Sequence, residues 1–196
     1  RYHEANEEYL KALMFFAKAE DYEGWLRAVQ KDVGVALAVI EPKEVLDTME
    51  KCPKSILCGN PWAVLVLMRR LFTWRQIPKM LELKNMLIGY VKKSTELSDT
   101  ERGDILGECD LIMSFLCYND ILAMSALHRS ASRQMSGPAM SIRTYGSWTF
   151  GSPSVLMMFH REPGKLPEEL AAMNESMPYY YRITDGHGQG AELLMQ

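Results

Sequence analysis

The chain is 196 residues long, 47% hydrophobic and 24% charged, with a formal net charge of -3. That is enough apolar content to bury a sizeable core, and the scattered Lys and Arg residues leave no clustered basic surface of the kind that releases counterions from a phosphate backbone. The longest apolar run, Ala63 to Met68, stops at Arg69 and Arg70, well short of the ~18 residues of a membrane span.

In chain order, the first pattern is Glu8 to Leu26, where alanines and large apolar residues recur at helical spacing on both sides of a charged turn. Leu10, Leu13, Met14 and Ala17 fall on one face of a first helix. Tyr22, Leu26, Val29 and Val33 fall on one face of a second, with Asp21 placed as its N-cap. Glu41-Pro42 breaks the pattern, and a short helix follows from Lys43 to about Lys51 with Val45, Leu46 and Met49 on one side. Asn60-Pro61 starts the next helix, and Trp62 to Phe72 is apolar nearly all round, as suits a helix covered on several sides. Ile77 to Val91 supplies its partner.

Ser98 and Glu101 form a capping box ahead of a helix to about Tyr118, striped by Ile105, Leu106, Cys109, Ile112, Met113, Leu116 and Cys117. Gly103 and Gly107 lie one turn apart in it. Each costs about 1 kcal/mol against alanine, which predicts close approach by a neighbouring helix. Asn119-Asp120 opens a helix to about Met135 that presents Met124, Leu127, Ala131 and Met135. From Ser136-Gly137-Pro138 to Lys165 the sequence turns rich in Gly, Ser, Pro and aromatic residues, with a short helix expected after Ser152-Pro153. Leu166, Leu170, Met173 and Met177 mark a last amphipathic helix that Pro178 is expected to close, and Tyr179 to Thr184 is expected to be helix or irregular loop. The pattern as a whole predicts an all-α fold, an α-solenoid of stacked antiparallel hairpins forming one helical-repeat domain over 1–196, with the irregular segment 136–165 inside it. Hairpins begin near residues 6, 43, 76 and 119, a loose period of about 33 to 43 that brackets the ~34 residues of tetratricopeptide repeats and the ~40 to 47 of HEAT-type ones. The pattern starts and stops mid-helix, as expected of a piece of a longer protein.

Chemistry-bearing motifs are sparse. Cys52, Cys58, Cys109 and Cys117 form no CxxC pair and read as free thiols of a reducing, cytoplasmic compartment. His3, His128, His160 and His187 are dispersed, without metal-ligand spacing, so no metal is expected. Gly186-His-Gly-Gln-Gly190 has the wrong spacing for a dinucleotide turn and reads as a loop between helices. Trp148, Phe150, His160 and Arg161 put aromatic and polar groups on a loop carried by helices, the makings of a small-ligand or peptide site. A small helical enzyme using His160 or His187 as general base, with Arg161 holding an anion, is the alternative.

The order of features resembles the central helical-repeat region of LuxR-family transcriptional regulators of the maltose-activator type, members of the signal-transduction ATPases with numerous domains. The likeness is carried by Tyr9 to Asp21 (YLKALMFFAKAED), Pro53-Lys54-Ser55-Ile56 with Asn60-Pro61, Gly107-Glu108 ahead of Ser114-Phe115 and Tyr118-Asn119-Asp120, and Gly146-Ser-Trp-Thr-Phe-Gly-Ser-Pro-Ser-Val-Leu156. The resemblance implies a parent with an N-terminal ATPase, a sensor superhelix and a C-terminal helix-turn-helix. This chain would then be the non-enzymatic sensor and interaction region. It would hold no cofactor of its own, ATP belonging to the parent. An unidentified small-molecule effector or regulatory protein would be its partner, the parent would self-associate, and this region would touch neither nucleic acid nor membrane. A free-standing tetratricopeptide-like scaffold that binds peptides would share the same architecture.

Overall fold

The computed structural model describes residues 2–117, 120–142, 163–187, 189–190 and 193. Among the described residues every regular element is a helix, and no strand occurs. None of these helices is long and apolar enough to cross a membrane. Two compact units divide the chain, residues 1–93 and 94–196.

The first unit contains α1 (Tyr2–Ala5), α2 (Tyr9–Lys18), α3 (Tyr22–Lys31), a 3-10 turn (Ala36–Val39), α4 (Pro42–Lys51), α5 (Lys54–Gly59), α6 (Pro61–Thr73) and α7 (Ile77–Lys93). Asp21 caps α3 as expected, its carboxylate accepting the Gly24 N–H at 2.9 Å. α3 rests on α2 and α6, and α6 packs on α7. The run from Ala63 to Met68 is buried without interruption. This central position explains why its apolar residues ignore helical periodicity.

Past α3 the chain turns through left-handed Val33 and Gly34, at φ 52° and 69°. A Cβ on Gly34 would lie 2.7 Å from Val66 Cγ1, so both conformation and space call for glycine there. Arg69 and Arg70 hold this turn, donating to the carbonyls of Val33 at 2.8 Å and Gly34 at 2.6 Å. α1 is fastened by the buried Glu4 carboxylate, which accepts Arg27 Nε at 2.8 Å and Nη2 at 3.0 Å, and Lys31 Nζ at 2.9 Å. The Arg27 guanidinium, helped by Lys31, pulls the Glu4 pKa from 4.5 to about 2.

One expectation holds here and one fails. α6 starts at Pro61 with Asn60 in the N-cap position, as expected, although the Asn60 side chain donates not to α6 but to the Ile56 carbonyl and the Glu23 carboxylate, tying α5 and α3 together. Of the expected core face of α2, Leu13 is buried and Ala17 half-buried, while Leu10 and Met14 stand 39% and 58% exposed. Ala12, Leu13 and Phe16 form the buried side instead.

The second unit is built on α8 (Asp99–Ser114), followed by a 3-10 turn (Phe115–Cys117), α9 (Ile121–Gln134) and α10 (Leu166–Ile183). α9 packs against α8 on one side and α10 on the other. The capping box of Ser98 and Glu101 forms in full, and Asp120 caps α9 through the Ala123 N–H at 3.0 Å. The glycine pair does bring α9 close. A Cβ on Gly103 would sit 2.6 Å from the Gln134 carbonyl oxygen, and one on Gly107 only 2.4 Å from Met135 Cγ.

Carboxylates on α8 then secure the chain that leaves α9. Asp104 accepts the Ser136 N–H at 2.6 Å and its hydroxyl at 2.8 Å. One turn on, buried Glu108 accepts the N–H groups of Met140 at 2.9 Å and Ser141 at 2.5 Å. The Gly/Ser/Pro segment thus begins anchored to α8 by charge-assisted hydrogen bonds.

α10 overruns its expected end. Pro178 lies inside the helix, which continues to Ile183. Asn174 and the proline are both exposed, and burial of Met173, Met177, Tyr180 and Ile183 along one face outweighs the bond the proline removes. A left-handed Asp185 at φ 52° and the Gly186 N–H bonded to the Tyr181 carbonyl at 2.9 Å close the helix in a Schellman arrangement.

Candidate functional site

A buried polar cluster lies in the second unit, between α8, α9 and α10. Ser114 and His128 are 0% and 1% exposed, with Ser114 Oγ 2.9 Å from His128 Nε2. On distance alone this is a nucleophile and base. The proton count opposes it: the Ser114 hydroxyl donates to the Leu111 carbonyl at 2.6 Å, so it can only accept from Nε2–H. His128 Nδ1 is then a bare acceptor, and among the described residues it has no hydrogen-bond partner. Burial pulls the His128 pKa from 6.5 to about 3, fixing the neutral ring.

That ring packs on Tyr180 at 5.0 Å between centroids, and the Tyr180 hydroxyl meets His187 Nδ1 at 3.1 Å. His187 is itself 5% exposed and, like His128, is held toward its neutral form by burial. The arrangement cross-links three helices and the loop after α10. It offers no proton-accepting path from Ser114 to His128.

The first unit has an open site of different character. α2, α3 and α4 enclose a groove of about 250 Å³ whose walls include Leu13, Met14, Ala17, Trp25, Ile40 and Val45, with Lys18, Glu44 and Thr48 also lining it. Its origin is in the sequence of α2. At about 100° per residue, Leu13, Ala17 and Met14 span about 100° of the helix surface, and Met14 and Ala17 are turned away from the buried Ala12 and Phe16. Val39 on the adjoining turn is 73% exposed. A second, acidic cleft in the other unit is lined by Asp120, Ile121, Leu122, Glu168, Glu169 and Ala172. In it Asp120 serves as a helix cap and Glu168 is paired with Lys165 at 2.9 Å.

Trp148, Phe150, His160 and Arg161, the residues singled out as a ligand site, lie outside the described residues, as does the helix expected after Ser152-Pro153. His187 is placed against Tyr180, as described. Among the described residues no group of three or more His, Cys, Asp or Glu side chains is arranged to hold a metal ion, and Cys52, Cys58, Cys109 and Cys117 are free thiols. Reading the sequence alone missed both the groove and the His128 cluster. The groove had a signal, the apolar arc of α2 being wider than one neighbour can cover. No family model matches the chain, and neither a curated protein nor a solved structure matches it.

Proposed function

We propose that this chain is the sensor and protein-interaction region of a LuxR-type transcriptional regulator, coupling the docking of an effector or partner to activation of transcription by the full-length protein. The observation that supports it most is the open apolar groove of the first unit, presented on helices whose own cores are filled. A preformed apolar concavity with a few polar groups at its rim is the usual form of a binding site. Helices stacked as in a tetratricopeptide-like superhelix would pass an occupied groove on as a change in curvature, provided the occupant favours one curvature over another.

Two experiments test the proposal. Calorimetry against sugars, amino acids, nucleotides and short acyl compounds is expected to find a ligand whose binding is lost in Met14→Glu, or in Trp148→Ala and Arg161→Ala if the irregular segment is the sensing surface. Binding that survives all three variants would remove both surfaces from consideration. Reading the gene beyond this chain tests the regulator: an ATPase before it and a helix-turn-helix after it are expected, and a gene carrying neither would leave the peptide-binding scaffold.

A further inference from the structure

We propose that the groove between α2 and α4 receives an amphipathic α-helix of another protein, with apolar residues at i and i+4 in the groove, an acidic flank toward Lys18 and a basic flank toward Glu44. This inference rests on the interaction reading above and names its partner. Three features of the groove argue for it.

The first is spacing. Leu13 and Ala17 stand at i and i+4 on the α2 wall of the groove with Met14 beside them, the spacing by which one helix lies along another. Ala17 in line with Met14 leaves a hollow beside a knob. The second is volume. A cavity of roughly 150 Å³ takes a benzene ring, so the 250 Å³ here has room for a large side chain and part of its helical neighbour. A flat apolar patch would offer no such seat.

The third is charge. On α2, Lys18 and Lys11 lie on the flank next to the Leu10 and Met14 arc, while Glu44 stands on the α4 side. Lys11 is engaged with Glu8 at 2.8 Å. Among the described residues no ion pair occupies Lys18 or Glu44. The walls therefore differ in sign, and a helix with one acidic and one basic flank satisfies both. A second copy docking α2 antiparallel on α2 would bring the two lysine flanks together, which is repulsive.

The test uses three labelled helical peptides of about 16 residues, alike in a Leu stripe at i, i+4, i+7. One has Glu on one flank and Lys on the other, one has Glu on both, and one has Lys on both. Fluorescence anisotropy with the full chain is expected to show the mixed peptide binding about fivefold tighter than either uniform one, in either direction along the groove. Lys18→Glu should shift the preference to the all-Lys peptide, Glu44→Lys should shift it to the all-Glu peptide, and Met14→Glu should abolish binding of all three. Met14 is 58% exposed, so its replacement leaves the core intact.

Equal affinity for the three peptides, or binding unaffected by Met14→Glu, would overturn the proposal. So would a dimer in sedimentation that Met14→Glu dissolves, since the groove would then belong to a second copy. If no peptide binds but a small molecule does, and Met14→Glu removes it, the helical partner fails while the interaction reading stands. Both fail if nothing binds the groove.

Discussion

Acidification is expected to weaken the second unit through His128. In the folded chain its imidazole pKa is lowered to about 3, against 6.5 for the free group. A depressed histidine pKa means that the unfolded chain takes up the proton more readily. Stability is therefore complete above about pH 6.5, falls as the pH drops below that value, and stops falling near pH 3. Each unit in that window costs about 1.4 kcal/mol, so at pH 5 the loss is about 2 kcal/mol, and its full extent is about 5 kcal/mol. Since net stabilities are about 5–15 kcal/mol, this single ring can bring the unit close to unfolding. The cost is physical: His128 is 1% exposed, its ring rests on Tyr180, and Ser114 already receives its Nε2–H. The assay is hydrogen exchange within α9 under mild urea at pH 7.5, 6 and 5, which reads this unit apart from the other. His128→Gln keeps a donor for Ser114 and cannot titrate. Wild type should lose about 2 kcal/mol more than the variant between pH 7.5 and 5, His187 contributing equally to both. Parallel pH profiles would refute the reasoning.

Three further outcomes are expected. Gly103→Ala should destabilise the chain in urea unfolding, by about 1–3 kcal/mol, because its Cβ would press on the backbone carbonyl of Gln134; Gly89→Ala in α7, with nothing within 4 Å, should instead gain about 1 kcal/mol from helix propensity. Glu108→Ala strands two N–H groups, of which that of Ser141 is buried, and should cost about 2–4 kcal/mol, read as faster amide exchange at 139–142. Glu4→Gln should loosen α1 by about 1–2 kcal/mol, and because the Glu4 pKa is lowered to about 2, the wild-type ion pair should persist at pH 4.5 and be lost as the pH falls toward 2, as thermal unfolding across that range would show.

Local signals were legible wherever the relevant partner is a near neighbour in the chain. Asp21, the Ser98 and Glu101 box, and Asp120 each satisfy N–H groups within three residues, so residue type and position suffice to place them. The glycine pair of α8 was legible for a related reason, a helix tolerating two costly residues only for a close neighbour. By contrast, Pro178 does not end its helix: whether a proline does so depends on whether burial of the turn beyond it outweighs the bond it removes, and Tyr180 and Ile183 are buried. Asn60 takes the cap position, but its side chain turns to Glu23, 37 residues away, a partner the local sequence does not reveal.

Helicity, most helix starts and the central place of α6 can be read from residue order, because they follow from backbone hydrogen bonding and from the period of apolar residues, both local properties. Which part of an apolar arc is covered depends instead on how the helices pack. On α2 the neighbours bury Ala12, Leu13 and Phe16 and leave Met14 exposed at the groove and Leu10 exposed outside it, since a helix surface contacts only as many elements as fit around it. Packing likewise decided that His128 lies in a dry interior beside Tyr180 and Ser114. An imidazole has the same formula in any setting, and its charge is set by the solvent and partners that folding leaves it.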